Sequence, residues 1–269
     1  MGRRVEVLAF CCMVFLGGYL WSLAQGQGVP ATVMMQIPAG PFFMGSDTGP
    51  VDERPKHQVH LDAFQIDRTP VTNAQFAEFL NARGPINTRN ERLFDVDDRD
   101  ARLHQRGTTW VAEAGFATHP VVEVSWVGAR DYCQWLGKRL PTEAEWEKAA
   151  RGTDDRRYPW GDALQEQTRA QYNAGWNETA PVGSFPAGVS TYGVLDMAGN
   201  VWEWVSSAYH PYPYQAADGR EDLAPGPVRS TRGGGHDSSA EDLTTTQRGR
   251  LLSRNPRAGH HNIGFRCAR

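Results

Sequence analysis

Cysteine is scarce in this chain of 269 residues: there are four, and Cys11 with Cys12 lies inside an N-terminal apolar run. No Cys-x-x-Cys motif is present, so a dithiol redox pair has no sequence support. An excess of one charge sign is also lacking. The 28 Lys and Arg nearly balance the 31 Asp and Glu, giving a net charge of −3. With no basic block or stripe, nucleic acid is excluded as a partner on electrostatic grounds. No phosphate loop, no Ser/His/Asp pattern, no internal repeat and no low-complexity tract is found. What the chain does have is 28 Gly, 17 Pro and 9 Trp. That mixture points to a compact, loop-rich fold whose aromatic side chains supply much of the buried area. The length suits one large domain or two small ones.

The N-terminus sets the expected compartment. Arg3 and Arg4 precede the apolar run LAFCCMVFLGGYLWSLA, and Ser22 and Ala24 stand at −3 and −1 of a small-residue cleavage site. We read 1–24 as a signal peptide, 25–32 as a linker and 33–269 as one domain, exported to the periplasm or secreted. The alternative is an uncleaved anchor, since the run is almost long enough to span a bilayer. No other membrane segment is expected. Cys133 and Cys267 remain in the mature chain, an even count that favours one disulfide in an oxidising compartment. A catalytic thiol is the alternative.

Along the chain, MMQIPAGPFFMGS reads as two strands about a Pro-Gly turn. Val59, Leu61, Phe64 and Ile66 mark another strand across 57–72. Thr72 with Gln75, and Thr142 with Glu145, form capping boxes that open helices. Residues 84–118 read as a surface insertion with a small hairpin. HPVVEVSW reads as a buried strand, after which Ser125 caps a helix burying Ala129, Tyr132, Cys133 and Leu136 and ending at Gly137. No long helix is expected thereafter. Mixed short strands and helices give an α+β fold class.

Several strings then coincide with one family: IPAGPFFMGS, AFQIDRTPVTNAQFAEF, HPVVEVSWVGARDYCQWLGKRLPTEAEWEKAARG, YPWGD, DMAGNVWEW, RGG and GFRCAR. In content and order they resemble the formylglycine-generating-enzyme, or sulfatase-modifying factor, family from about Val33 to the C-terminus. The resemblance implies a C-type-lectin-like α+β fold, loop-rich with short strands and a few short helices. It implies that Cys133 and Cys267 are disulfide partners, and that a second family disulfide, at Ala150 and near Arg248, is absent as a pair. It also implies structural calcium, with carboxylates from Asp196 and Glu203 and carbonyls of Gly199 and Val201, oxygen donors that Ca²⁺ favours. The plainer alternative is that Asp196 caps a turn while Glu203 pairs with an arginine. Asn173 with the Ala174 carbonyl matches half of a second calcium site whose other ligands have no equivalent.

The authentic enzyme oxidises a sulfatase cysteine with molecular oxygen and copper held by two thiolates. Here the matching positions are Ser238 and Leu243, with Gly235 where the family has a serine. Neither side chain replaces a thiolate for Cu(I), so copper chemistry is not expected, although Trp202 of the oxygen pocket is kept. The residues nearby offer another donor set, His236 and Asp237 with His260 and His261, suited to iron(II) or zinc if the loops meet. Solvated loops and a capped turn are the plainer alternative. Some family branches, including the pyoverdine-tailoring one, are thought to work without the cysteine pair, so the residues leave open whether this chain is an enzyme. Two functions follow. One is an exported accessory, maturation or tailoring factor acting on a protein or peptide. The other is a non-catalytic, calcium-stabilised module binding peptides or glycans.

Overall fold

The computed structural model describes residues 1–2, 32–163, 166–224, 226, 228–249 and 255–269. The signal-peptide reading and almost all of the linker lie outside them. Among the described residues no helix is long and apolar enough to cross a membrane.

Short elements joined by long turns make a loop-rich α+β fold. Strand β1 (Met34–Ile37) pairs antiparallel with β4 (Phe64–Asp67), and β2 (Gly40–Met44) with β3 (His57–Leu61). The single strand expected across 57–72 is therefore two, broken at Asp62 and Ala63. Apolar positions are odd at Val59 and Leu61 but even at Phe64 and Ile66. Alternate residues face opposite sides of a strand, so one straight strand could not bury all four. Strands β5 (Leu103–Arg106) and β6 (Thr109–Ala112) form the hairpin expected in 84–118. The excursion is not confined to the surface, however: Leu93, Phe94, Ala101, Leu103 and Trp110 are buried in the main core.

Both capping boxes are present. Thr72 opens α1 (Asn73–Arg83) with Gln75 returning the bond, and Thr142 opens α3 (Glu143–Arg151) with Glu145. Each satisfies two amide groups that a helix start leaves unpaired. Ser125 caps α2 (Trp126–Trp135). Leu136, expected on the buried face, is half-exposed because the helix ends before it. HPVVEVSW is buried but is not a strand. It makes only single bridges, Thr72 to Pro120 and Phe94 to Val124, and Glu123 takes φ 57°, which interrupts an extended run.

The remaining sheet has the order β8 (Arg229–Arg232), β7 (Trp202–Ala208), β9 (Ile263–Phe265), with β7 and β9 parallel. Cys133 of α2 is joined by a disulfide to Cys267 just after β9, with Cα atoms 5.6 Å apart. Beneath α3 lies a buried ionic layer. Glu143 accepts from Arg232 and Arg248, Glu147 from Arg151 and Arg232, and Glu203 from Arg266. Arg248, near which the absent second family disulfide would place a cysteine, is thus committed to Glu143.

Candidate functional site: a histidine–aspartate cluster after β8

The strand β8 ends in three glycines. Gly233 and Gly234 take φ 101° and 77°, and a Cβ on either would stand 3.0 Å from Trp146 or from Leu243 and the Asp242 carbonyl. Glycine is thus required for the chain to turn here. Gly235 lies against Trp202 Cδ1 and Asp237 Oδ1, where an added Cβ would come within 3.1 and 3.0 Å. The turn delivers His236 inward and Asp237 outward.

His236 is fully buried. Its amide N–H and its ring Nδ1 both meet the Asn200 carbonyl, at 2.8 and 3.0 Å. Asn200 (φ 63°) is held in turn by the backbone of Ala180 through both ends of its amide. Asp237 accepts two bonds from Asn262 Nδ2, at 3.1 and 3.0 Å, and meets His261 Nε2 at 3.1 Å. Burial alone would raise the Asp237 carboxyl, but its bonds from His261 and Asn262 outweigh that and hold it below the ordinary aspartate value. Burial pushes the His236 imidazole down, which favours its neutral form. One ligand atom from each of His236, Asp237 and His261 lies within 4.8 Å of the others. His236 bonds a turn carbonyl, that of Asn200, as the plainer alternative of a capped turn has it, and it does so fully buried.

His260, one residue away, turns elsewhere. Its carbonyl accepts the N–H of Glu123, and its ring tilts against Trp204 at 6.4 Å. Of the four expected donors, three meet. Trp176 was missed in the sequence. It is 61 % exposed, stacks on His261 with ring centroids 3.5 Å apart, and donates to Asp100 at 2.8 Å. Asp100 belongs to a second cluster with Asp98 and the buried Glu123. Burial and the neighbouring carboxylates push the Glu123 carboxyl up to about 8. Three acids at 98, 100 and 123 give no local pattern that would reveal them. Only the exposed tryptophan in a turn-rich stretch offered a signal. A cavity of about 790 Å³ between 46–56 and 241–247 is lined in part by Arg151, Arg156 and Arg157 and does not include the histidine cluster.

A model of the sulfatase-modifying factor enzyme 1-like domain matches residues 22–269. The chain belongs to the sulfatase-modifying factor family. The serine/threonine-protein kinase pkn1 of Chlamydia caviae is 40 % identical over 246 residues, which cover 88 % of this chain and 38 % of that protein. The chain therefore spans well under half of that relative's length. The formylglycine-generating enzyme of Streptomyces coelicolor is 38 % identical over 283 residues, covering 87 % of this chain and 88 % of the enzyme. Among solved structures, PvdO from Pseudomonas aeruginosa superposes with a TM-score of 0.68 at 29 % identity, covering 88 % and 93 % of the two chains.

Ser238 and Leu243 are the residues expected, from the resemblance, at the copper positions. Ser238 Oγ accepts the Gly235 N–H at 2.9 Å, and Leu243 is fully buried among Tyr158, Ala170, Tyr172 and Ala198. These residues do not fit Cu(I), since neither presents a thiolate. The calcium positions fit in part. Glu203 is fully buried with both oxygens committed, to Arg266 at 2.6 and 2.7 Å and to Trp146 Nε1 at 2.9 Å. Asp196 (φ 55°) is less compensated: its Oδ2 accepts the Gly183 N–H, and burial pushes its carboxyl up to about 6. Asn173 is exposed, while the amides of Asn173 and Ala174 pin the loop by donating to the carbonyls of Ser238 and His236. Trp202 is buried beside Gly235.

Proposed function

We propose that this sulfatase-modifying factor family chain is an exported accessory or tailoring factor that acts on a protein or peptide client and is not a copper-dependent formylglycine-generating oxidase. The observation that carries the reading is the replacement of both thiolate positions, Ser238 in a turn bond and Leu243 in a core cluster. The place where the family does its chemistry instead carries Asp237, His236 and His261 beside an exposed tryptophan. An aromatic plate next to hydrogen-bonding groups suits an extended peptide. Calcium enters as a structural ion held chiefly by Asp196 with the Gly199 and Val201 carbonyls, because Glu203 already answers Arg266.

The test has two arms. Purified chain incubated with a Cys-x-Pro-x-Arg peptide, copper and oxygen should yield no aldehyde, and aldehyde formation would refute the reading. In the producing cell, deletion of the gene should change the intact mass or maturation of an exported protein or peptide, restored by the wild-type chain. The exposed Trp176 stacked on His261 also supports the second reading, a calcium-stabilised binding module. That reading predicts a client retained by the chain with its mass unchanged, and loss of retention on Trp176→Ala.

A further inference from the structure

The rings of His236 and His261 and the carboxylate of Asp237 converge, and one nitrogen among them has nothing to bond. A carbonyl oxygen can only accept, so the contact of His236 Nδ1 with the Asn200 carbonyl places the proton on Nδ1. Nε2 then carries a lone pair. It is buried and has no hydrogen-bond partner among the described residues, on a histidine with no exposed surface. An unmet acceptor in the interior costs free energy. A histidine fixed through Nδ1–H to a carbonyl, with Nε2 bare, is the arrangement that metal-binding histidines adopt.

The other two donors are set for the same purpose. His261 Nε2 and Asp237 Oδ2 are 3.1 Å apart. Two ligands bonded to one ion at about 2.0–2.2 Å in tetrahedral geometry lie about 3.3–3.6 Å apart, so this pair would open by only a few tenths of an ångström to share an ion. Asn262 orients the Asp237 carboxylate through two bonds, as an outer-shell amide does. Trp176 lies flat on the His261 ring. His236 is immobilised by burial, whereas Asp237 and His261 keep 28 % and 15 % of their side-chain surface exposed and can close on an ion entering from solvent.

We propose that His236, Asp237 and His261 form a binding site for a transition-metal dication of the zinc or iron(II) class. Two imidazoles with one carboxylate select such ions over magnesium or calcium, which prefer oxygen alone. Three protein donors would leave at least one position of a four-coordinate ion free for water or another ligand. To hold an ion His261 must present the Nε2 lone pair, so a neutral ring carries its proton on Nδ1, and protons compete with the metal for the donors as pH is lowered. The inference goes beyond the client reading, and its readout is metal binding itself, so either can fail without the other.

The test is cobalt(II) titration of the untagged, chelator-treated chain, followed by visible absorption. One equivalent should bind with d–d bands that zinc abolishes one for one and that excess magnesium leaves unchanged. His261→Asn and Asp237→Asn should each weaken binding by at least ~100-fold, and Asn262→Ala by about 10–100-fold. His104→Asn, a histidine of the β5–β6 hairpin outside the cluster, should bind as wild type. The two exposed-side variants keep the test valid where a change at buried His236 disturbs folding. No cobalt bands in wild type, or bands of equal affinity in both His261→Asn and Asp237→Asn, would overturn the site.

Discussion

The acids beneath α3 and the polar groups around the β8 turn are buried to similar degrees and finished very differently. Glu143, Glu147 and Glu203 have no exposed surface, and each of their oxygens accepts from an arginine, an amide or an indole. Around the turn, His236 leaves Nε2 unanswered among the described residues, and Glu123, only 2 % exposed, faces the charges of Asp95, Asp98 and Asp100. Burying a charge is tolerable when partners complete its bonding and costly when they do not. The completed layer is scaffold. The incomplete one is left, among the described residues, with buried groups that the scaffold does not answer.

The comparison is broken most directly at Glu203. Arg266→Ala would strand that carboxylate in the interior, and we expect a loss of about 3–5 kcal/mol, read by chemical denaturation. Glu203→Gln, which removes the charge and keeps the shape, should cost less. The same variants sharpen the calcium question. Should calcium be held mainly by Asp196, a calcium-dependent rise in Tm survives Glu203→Gln and disappears in Asp196→Asn. A rise lost only in Glu203→Gln would assign the ion to Glu203, and no rise in wild type would remove the ion altogether.

Next in size is the disulfide, which joins α2 to the end of β9. Cys133→Ser should lower stability by ~2–5 kcal/mol, with no free thiol titratable in the unreduced wild type. Two titratable thiols in the exported, denatured protein would show that the bond does not form there.

How much of this was legible depends on sequence distance. The capping boxes at Thr72 and Thr142 span four residues, so local bonding alone determines them, and they are present as read. The break between β3 and β4 was missed by the single-strand reading, although the parity change between Leu61 and Phe64 carries it. That Glu203 pairs with an arginine was among the readings, but that the arginine is Arg266, 63 residues on, was not legible, because it depends on β7 and β9 lying parallel. In the HHN stretch the residue types named the chemistry, but only the path of the loop decides that His261 meets Asp237 while His260 turns towards Trp204. Trp176 and Glu123 belong to the site through contacts with residues far along the chain, and no spacing announces either.

The smallest expected effect is on the unfinished side, at Glu123. Its carboxyl is raised from 4.5 to about 8 by burial, then by the charges of Asp98, Asp95 and Asp100. Between those values the native chain holds a proton that the unfolded chain has released. Stability therefore falls as pH rises from about 4.5 to about 8, and the full penalty applies above that. Glu123→Gln removes the ionisation and keeps the volume. Against wild type it should gain on the order of 2 kcal/mol at pH 8.5 and nothing at pH 4, flattening the profile between. Denaturant melts at four pH values measure it. Parallel profiles for the two proteins would mean that Glu123 titrates normally, and that the acids at 98 and 100 leave it as well satisfied as the glutamates under α3.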